Sequence, residues 1–262
     1  MKPYYADEAV TLYLGDCREV LPALGVRADC IVADPPYGET SLPWDQWPTG
    51  WLIAADDVTR SLWCFGSLRM YLKHVGEFSG WKLSQDVIWE KHIGSGFAAD
   101  RFKRVHEQPT HWYRGPWSGI HHEAPRVFTG IDPHSRKGGQ RDPATDRHHG
   151  RIGGDLWTDD GTRLVRSVLH VRTMLNRGAI HPTEKPVELL DPMIEYACPP
   201  GGLVLDPFAG SGSTLDAARA SGRRAIGIEA DERYCEVIAR RLSQGMLAGA
   251  QCLATAGMRG GS

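Results

Sequence analysis

No stretch of this 262-residue sequence approaches the apolar length of a membrane-spanning helix, so none is expected. The opening residues, Met1 to Glu8, contain neither the basic region nor the apolar core of a secretory signal, and the reading expects a cytoplasmic protein. The six cysteines, at 17, 30, 64, 198, 235 and 252, include no Cys-x-x-Cys pair and read as buried, reduced thiols. Adjacent histidines occur at His121-His122 and His148-His149, but their side chains point apart and no cysteine lies between 64 and 198 to complete a site, so no metal is expected. An excess of one charge is missing too. A net charge of -2 and a pI near 6.6 lack the global signature of a nucleic-acid binder, so any such contact must come from local patches. What is present suits a folded chain: 41% hydrophobic and 24% charged residues allow one large α/β domain or a domain with an inserted module.

From Thr11 to about Arg114, short apolar runs alternate with amphipathic stretches, the pattern of a parallel sheet covered on both faces. Strands are predicted at Thr11 to Leu14, Cys30 to Ala33, Ser61 to Phe65 and Leu83 to Glu90, with helices at Arg18 to Leu24, Trp51 to Arg60 and Leu68 to Phe78. From Gly115 to Ala179 the chain turns irregular and rich in Gly, Pro, Arg, His and Asp, with arginines from Arg126 to Arg177. A long irregular span inside a compact protein is a functional or a disordered one. Regular structure returns with a predicted helix from Glu184 to Ala197, with Thr183 as N-cap and Pro186 in its first turn. A strand Leu203 to Leu205, a helix Thr214 to Ala220, a strand Ala225 to Ile228 and a helix through about Leu242 follow, then a small-residue tail expected to fray.

Two turns carry chemistry. Asp34-Pro35-Pro36-Tyr37 follows the apolar run Cys30 to Ala33, at the carboxyl end of a predicted strand, where α/β sheets bind ligands. Two prolines remove two N–H donors, leaving the Asp34 carboxylate and the Pro35 carbonyl as acceptors beside an aromatic ring, a fit for a planar amine. The second turn, Asp206-Pro207-Phe208-Ala209-Gly210-Ser211-Gly212-Ser213, puts two glycines at a strand-to-helix junction, where a ligand can approach the backbone. Glu229, ending the next strand, is placed to hold ribose hydroxyls. Leu215 stands where a dinucleotide fingerprint needs a small residue, and no Gly-Lys-Ser/Thr follows the glycines. An adenosine compound without a pyrophosphate remains, and S-adenosylmethionine fits.

Together with His181-Pro182-Thr183-Glu184-Lys185-Pro186, these turns resemble the three signature motifs of S-adenosylmethionine-dependent DNA amino-methyltransferases. Their order, catalytic turn first, resembles the β class. The resemblance implies a doubly wound, mostly parallel Rossmann-like methyltransferase fold, circularly permuted, with an inserted target-recognition region. Its expected divisions are a catalytic half at 1–114, target recognition at 115–179, an S-adenosylmethionine-binding half at 180–245 and a tail at 246–262. It further implies catalytic residues Asp34, Pro35, Pro36 and Tyr37. Cofactor contacts are implied for Asp16 and Cys17 beside the adenine, for Asp34, and for His181, Thr183 and Lys185 with the methionine end assigned to the last two. The glycine turn and its surroundings, Asp206, Pro207, Phe208, Gly210, Ser211, Gly212, Ser213, Thr214 and Glu229, complete the set. The family usually has Gln where this chain has Glu184, which leaves that residue's contacts open.

In such an enzyme the Asp34 carboxylate and the Pro35 carbonyl would accept the two amine hydrogens and direct the nitrogen lone pair at the sulfonium methyl, with Tyr37 stacked on the base. The target nucleotide must then leave the duplex. Members of the resembled family with Asp in the first position are mostly adenine-N6 enzymes and those with Ser mostly cytosine-N4 enzymes, so the resemblance implies adenine; no Pro-Cys pair supports C5-cytosine chemistry. The segment Trp89 to Glu107 mixes glycines, aromatics and basic groups that suit a DNA cleft. Double-stranded DNA is the expected partner, and a homodimer is expected from the class. A non-catalytic nucleic-acid-binding module is the alternative of a different kind, and RNA or a protein amide the alternative substrate.

Overall fold

The structure, a computed structural model, describes residues 1–95, 100–128, 134–136, 157–172 and 184–257, with backbone only at 92–95, 134–136, 157–159 and 245–257. The described chain divides into two compact units, 1–123 with 167–262, and 124–166.

In the larger unit the elements run β1 (Tyr5–Ala6), β2 (Val10–Leu14), α1 (Cys17–Leu24), β3 (Cys30–Ala33), α2 (Trp51–Ala55), β4 (Ser61–Cys64), α3 (Leu68–His74), β5 (Lys82–Asp86), β6 (Ile88–Ser95), β7 (Arg104–Glu107) and β8 (Thr110–Tyr113). The smaller unit contributes β9 (Arg126–Phe128) paired with β12 (Thr162–Leu164), and β10 (His134–Arg136) paired with β11 (Trp157–Asp159), both antiparallel. The larger unit then resumes with β13 (Val168–His170), α4 (Val187–Ala197), β14 (Leu203–Asp206), α5 (Ser213–Ala220), β15 (Arg224–Glu229) and α6 (Glu232–Gly257).

Eight strands form one sheet in the order β1-β2-β15-β14-β3-β4-β8-β5. Its centre, β2 to β4, is parallel, and β1, β8 and β5 run antiparallel to their neighbours. The last strand of the chain, β15, pairs with β2 through Glu229 opposite Leu14, which is the expected circular permutation. The order also sets the ligand site: β3 leads outward to β4 and β14 leads the other way to β15, so the topology reverses between β14 and β3, and their carboxyl ends open a crevice.

Strand β3 shows why the centre is so apolar. Cys30 and Val32 pack with α4, α5 and α6 residues such as Ile194, Leu215 and Ile238, while Ile31 and Ala33 pack with Leu21, Leu52 and Met70 of α1, α2 and α3. With both faces covered, every residue of the strand must be apolar, and all four are buried.

Four expectations are corrected. The predicted strand Leu83 to Glu90 is two strands in two sheets: β5 lies on the edge of the main sheet, whereas β6 pairs with β13 and β7. The break falls at Val87, whose N–H donates 2.8 Å to the Pro109 carbonyl outside either ladder. Helix α2 stops at Ala55 instead of reaching Arg60. Helix α4 starts at Val187 rather than Glu184, with Pro186 in the N-cap position at φ −62°, ψ 141°. A proline restricts the residue before it to extended geometry, so Lys185 cannot join the helix. Helix α6 continues to Gly257, past the expected end near Leu242, because the Ala, Leu, Gln and Met of the tail favour helix.

Candidate active site

The Asp34 turn leaves the carboxyl end of β3. Its half-buried Tyr37 donates a 3.0 Å hydrogen bond from the phenol to Asp34 Oδ1. Burial, then the charges of Asp34 and Glu107, raises the Tyr37 pKa well above its ordinary value, so the phenol stays a donor. The other oxygen, Asp34 Oδ2, accepts from the Lys185 ammonium. Lys185 is buried over the Phe65 ring, 5.1 Å from its centroid, and also lies 3.5 Å from Glu107 Oε2. Burial alone would lower its pKa, but Asp34 and Glu107 outweigh that and raise it. Lys185, expected at the methionine end, is placed here on Asp34 of the catalytic turn. His181 and Thr183 lie outside the described residues.

One strand away, β14 ends at Asp206, whose Oδ1 accepts the Phe208 N–H at 2.9 Å and caps the turn. Asp206 is buried, and that burial, with some repulsion from Asp34 and Glu229, raises its pKa to about 7. Glu229 at the end of β15 accepts from Gly210 N (2.8 Å) and Asp231 N (2.9 Å), and burial raises its pKa. Gly210 and Gly212 adopt φ +52° and +80°. Gly212 is needed twice over, because a Cβ there would also lie 3.0 Å from Ile238 Cγ2 of α6. It supports the turn from behind while α5 begins at Ser213. Phe208 meets Trp51 edge-on at 5.2 Å between centroids, tying the turn to α2.

Asp16 is the N-cap of α1, accepting from Arg18 N and pairing with the Arg18 guanidinium, which holds its pKa down. Cys17 beside it is buried, and burial pushes its thiol up to about 12. Glu184 has a definite partner: Arg241 Nη1 donates to Glu184 Oε1 at 2.6 Å and to the Ser211 carbonyl at 3.1 Å, and Ser213 Oγ lies 3.2 Å from the same carboxylate. The charge that departs from the family's usual Gln is met by a cation of α6.

These groups open on one cleft of about 830 Å³, lined among others by Asp16, Cys17, Asp34, Pro35, Pro36, Tyr37, Lys185, Asp206, Pro207, Phe208, Gly210, Ser211, Ser213, Thr214 and Glu229. Four further participants carry no motif of their own, and two of them, Lys91 and Glu107, fall in the segment expected to line a DNA cleft. Asp45 is buried and accepts the N–H groups of Gly38 (2.9 Å), Glu39 (3.0 Å) and Thr40 (2.7 Å), which folds the loop after the catalytic turn. Its neighbour Trp44 stands 54% exposed on the cleft wall. Glu107, ending β7, faces Asp34 through Lys185 and Tyr37, and Lys91 of β6 pairs with Glu107 from behind. Burial opposes ionisation of Glu107, but Lys185 and Lys91 hold its carboxyl below the ordinary range. An Asp beside a turn and a Glu in a short strand carry no motif, and only the fold shows their partners.

A profile of the DNA methylase family of N6 and N4 enzymes matches residues 28–240. The chain belongs to this DNA methylase family. Three relatives are similar to it. It is 26% identical over 272 residues to the type II methyltransferase M2.DpnII of Streptococcus pneumoniae, covering 92% of each chain. It is 39% identical over 103 residues to the DNA adenine methyltransferase YhdJ of Escherichia coli (strain K12), covering 39% of this chain and 32% of YhdJ. It is 59% identical over 63 residues to YubD of the same organism, and that match spans 28% of YubD. Among solved structures, the complex of M1.HpyAVI with SAM matches over 88% of this chain and 99% of that one, with a TM-score of 0.59 at 18% identity. The cytosine-N4-specific PvuII DNA methyltransferase matches over 91% and 88%, with a TM-score of 0.61 at 16% identity. At such identities the likeness is one of fold. The methylase is of the S-adenosylmethionine-dependent kind, and its sheet has the Rossmann-like order of that class.

Proposed function

We propose that this methylase transfers a methyl group from S-adenosylmethionine to the N6 amino group of adenine in double-stranded DNA, at a specific site, with the target base flipped into the cleft. The observation that carries the reading is the meeting of two motifs in one cleft: the acceptor turn of Asp34 and Pro35 stands across from the glycine turn of Gly210 and Ser211. S-adenosylmethionine would be held along the glycine turn, with Glu229 available to its ribose hydroxyls, Asp16 and Cys17 to its adenine, and Asp206 to its positively charged methionine end. An adenine amine at Asp34 then faces the methyl group in line, and its two hydrogens go to the Asp34 carboxylate and the Pro35 carbonyl.

The N6–CH3 bond forms as the S–CH3 bond breaks, the bonding pair stays on sulfur, and the acidified nitrogen then loses a proton to solvent. Asp34 shapes the nucleophile and need not be a strong base. Asp in the first position of the turn supports adenine over cytosine, and the adenine methyltransferase YhdJ is a partial relative with the same leaning. Trp44, exposed on the cleft wall, supports the extruded base or fills the gap it leaves.

The region 115–179 is proposed to choose the site, and a homodimer is supported by the exposed Leu68, Leu72 and Val75 along one side of α3 and the turn after it. Location in the cytoplasm is part of the same reading. No described helix is long and apolar enough to cross a membrane. No metal is invoked, and the described residues hold no cluster of three or more His, Cys, Asp or Glu suited to one.

Incubation with labelled S-adenosylmethionine and mixed-sequence DNA, followed by nucleoside analysis, tests the activity, the base and the site together. N6-methyladenine in one sequence context is expected, and N4-methylcytosine would replace the adenine assignment. Asp34→Ala is expected to abolish transfer while cofactor affinity stays within about tenfold, roughly 1.4 kcal/mol. Near-normal turnover by that variant would sink the mechanism.

A further inference from the structure

Four charged groups and a phenol meet behind the catalytic turn. Lys185 donates to Asp34 Oδ2 and lies 3.5 Å from Glu107 Oε2. Lys91 donates to Glu107 Oε1. The Tyr37 hydroxyl, 3.0 Å from Asp34 Oδ1, is 3.4 Å from Glu107 Oε2. Charges balance, two carboxylates against two ammonium groups, and the side chains are 8 to 25% exposed. Glu107 and Lys91 come from the sheet of β13, β6 and β7, outside the sheet whose strands β3 and β14 lead into the acceptor and glycine turns.

We propose that Glu107, held by Lys91, is a positioning residue for methyl transfer, a role that rests on the reading of Asp34 as the acceptor of the base amine. Each carboxylate oxygen of Asp34 has two lone-pair directions. Tyr37 takes one on Oδ1 and Lys185 one on Oδ2, which leaves a direction on each for substrate. A lysine ammonium is a mobile point charge with three protons, and it settles wherever negative charge is densest. Glu107 offers it a second carboxylate and so keeps it from folding both its near protons onto Asp34, where they would occupy the lone pairs the amine needs. The same carboxylate stands 3.4 Å from the Tyr37 hydroxyl and is a second, longer acceptor for its proton. Lys91 completes the arrangement by neutralising Glu107, which otherwise would repel Asp34 across the site.

A purely structural ion cluster would use the same contacts, so the test separates turnover from binding and folding. Steady-state kinetics with labelled S-adenosylmethionine and a methylatable duplex, equilibrium cofactor binding and thermal unfolding are measured for Glu107→Gln, Glu107→Ala, Lys91→Met and Lys91→Arg, with Asp34→Ala in parallel. The expected result for Glu107→Ala is a kcat lower by roughly 10- to 100-fold, with KM for cofactor and cofactor affinity within about twofold. Glu107→Gln, which keeps the shape and one acceptor, falls less. Lys91→Met lowers kcat and Lys91→Arg restores it.

A kcat for both Glu107 variants within about twofold of the parent overturns the proposal. So does a loss of cofactor affinity and melting temperature in proportion to the loss of kcat. If Glu107→Ala fails to fold, Glu107→Gln and the Lys91 pair decide. An active Asp34→Ala variant defeats the methyl-transfer reading itself, whereas an inactive Asp34→Ala beside an unimpaired Glu107→Gln and Lys91→Met defeats the positioning role alone.

Discussion

At the scale of single residues, Asp206 has the most measurable consequence. Its pKa is about 7 when folded against 3.8 for an ordinary aspartate, so between those values the folded state binds more protons than the unfolded one. The stability it contributes is therefore full below about pH 4 and is lost as pH rises through about 7. Asp206→Asn keeps an oxygen for the Phe208 N–H and removes the charge. Its stability relative to the parent is expected to grow from about pH 4 to 7, by at most about 1.4 kcal/mol per unit, and to level off above that. Denaturant unfolding across that range checks this, and a constant difference would contradict it. A bound sulfonium favours the ionised carboxylate, so cofactor binding near neutrality should release a proton. Calorimetry in two buffers of different ionisation enthalpy would detect it as a difference in observed heat. Trp44→Ala should weaken binding of duplex DNA and leave cofactor affinity unchanged, which fluorescence titration can separate. Asp34, Tyr37, Asp206 and Glu229, which the structure brings to one cleft, stand out in the sequence because each ends a strand or enters a turn with a composition of its own. Asp45, Trp44 and Glu107 do not, since their neighbours in sequence say nothing about what they touch.

Between elements, the glycine turn depends on α6. Gly212→Ala must hold a Cβ at φ +80° and press it on Ile238. The left-handed backbone alone costs about 1–2 kcal/mol, so the variant should unfold earlier and bind cofactor less tightly. Arg241 links the same helix to Glu184, Ser211 and Asp216. Arg241→Met leaves a largely buried Glu184 with a weakened set of partners, whereas Arg241→Met with Glu184→Gln removes the charge as well. A coupling of about 0.5–3 kcal/mol is expected in that double-mutant cycle, read by urea unfolding, and additivity would show the pair to be idle. Strand β3, helix α1 and the strand-turn-helix of β14 and α5 could be read from their own residues, because burial on both faces and a capping Asp leave local marks. The start of α4 was misplaced because a proline suits a first helical turn as well as a position just before it. The division of β5 from β6 was hidden, since no Gly or Pro between Leu83 and Glu90 marks the change of sheet at Val87.

For the molecule as a whole, the proposed dimer makes a clear demand. Leu68→Lys with Leu72→Lys, at exposed positions of α3, should lower the solution mass to that of one chain without altering the fold. A parent already monomeric with DNA bound, by light scattering, would withdraw the dimer. The permuted order was also readable: the acceptor turn precedes the glycine turn, and a sheet with both in its centre must bring its last strand beside its first long one. Motif residues and the strands beneath them depend on signals a few residues long, which is why the amino-acid sequence alone determined the family, the cofactor class and the central turns. The tertiary structure decided who meets whom. Lys185 reaches Asp34 across 151 positions, Tyr37 approaches Glu107 across 70, and Lys91 pairs with Glu107 across 16. No local pattern encodes such pairings. They arise only when the reversal of topology between β14 and β3 and the second sheet bring distant charges into one low-dielectric space, where each must find an opposite charge.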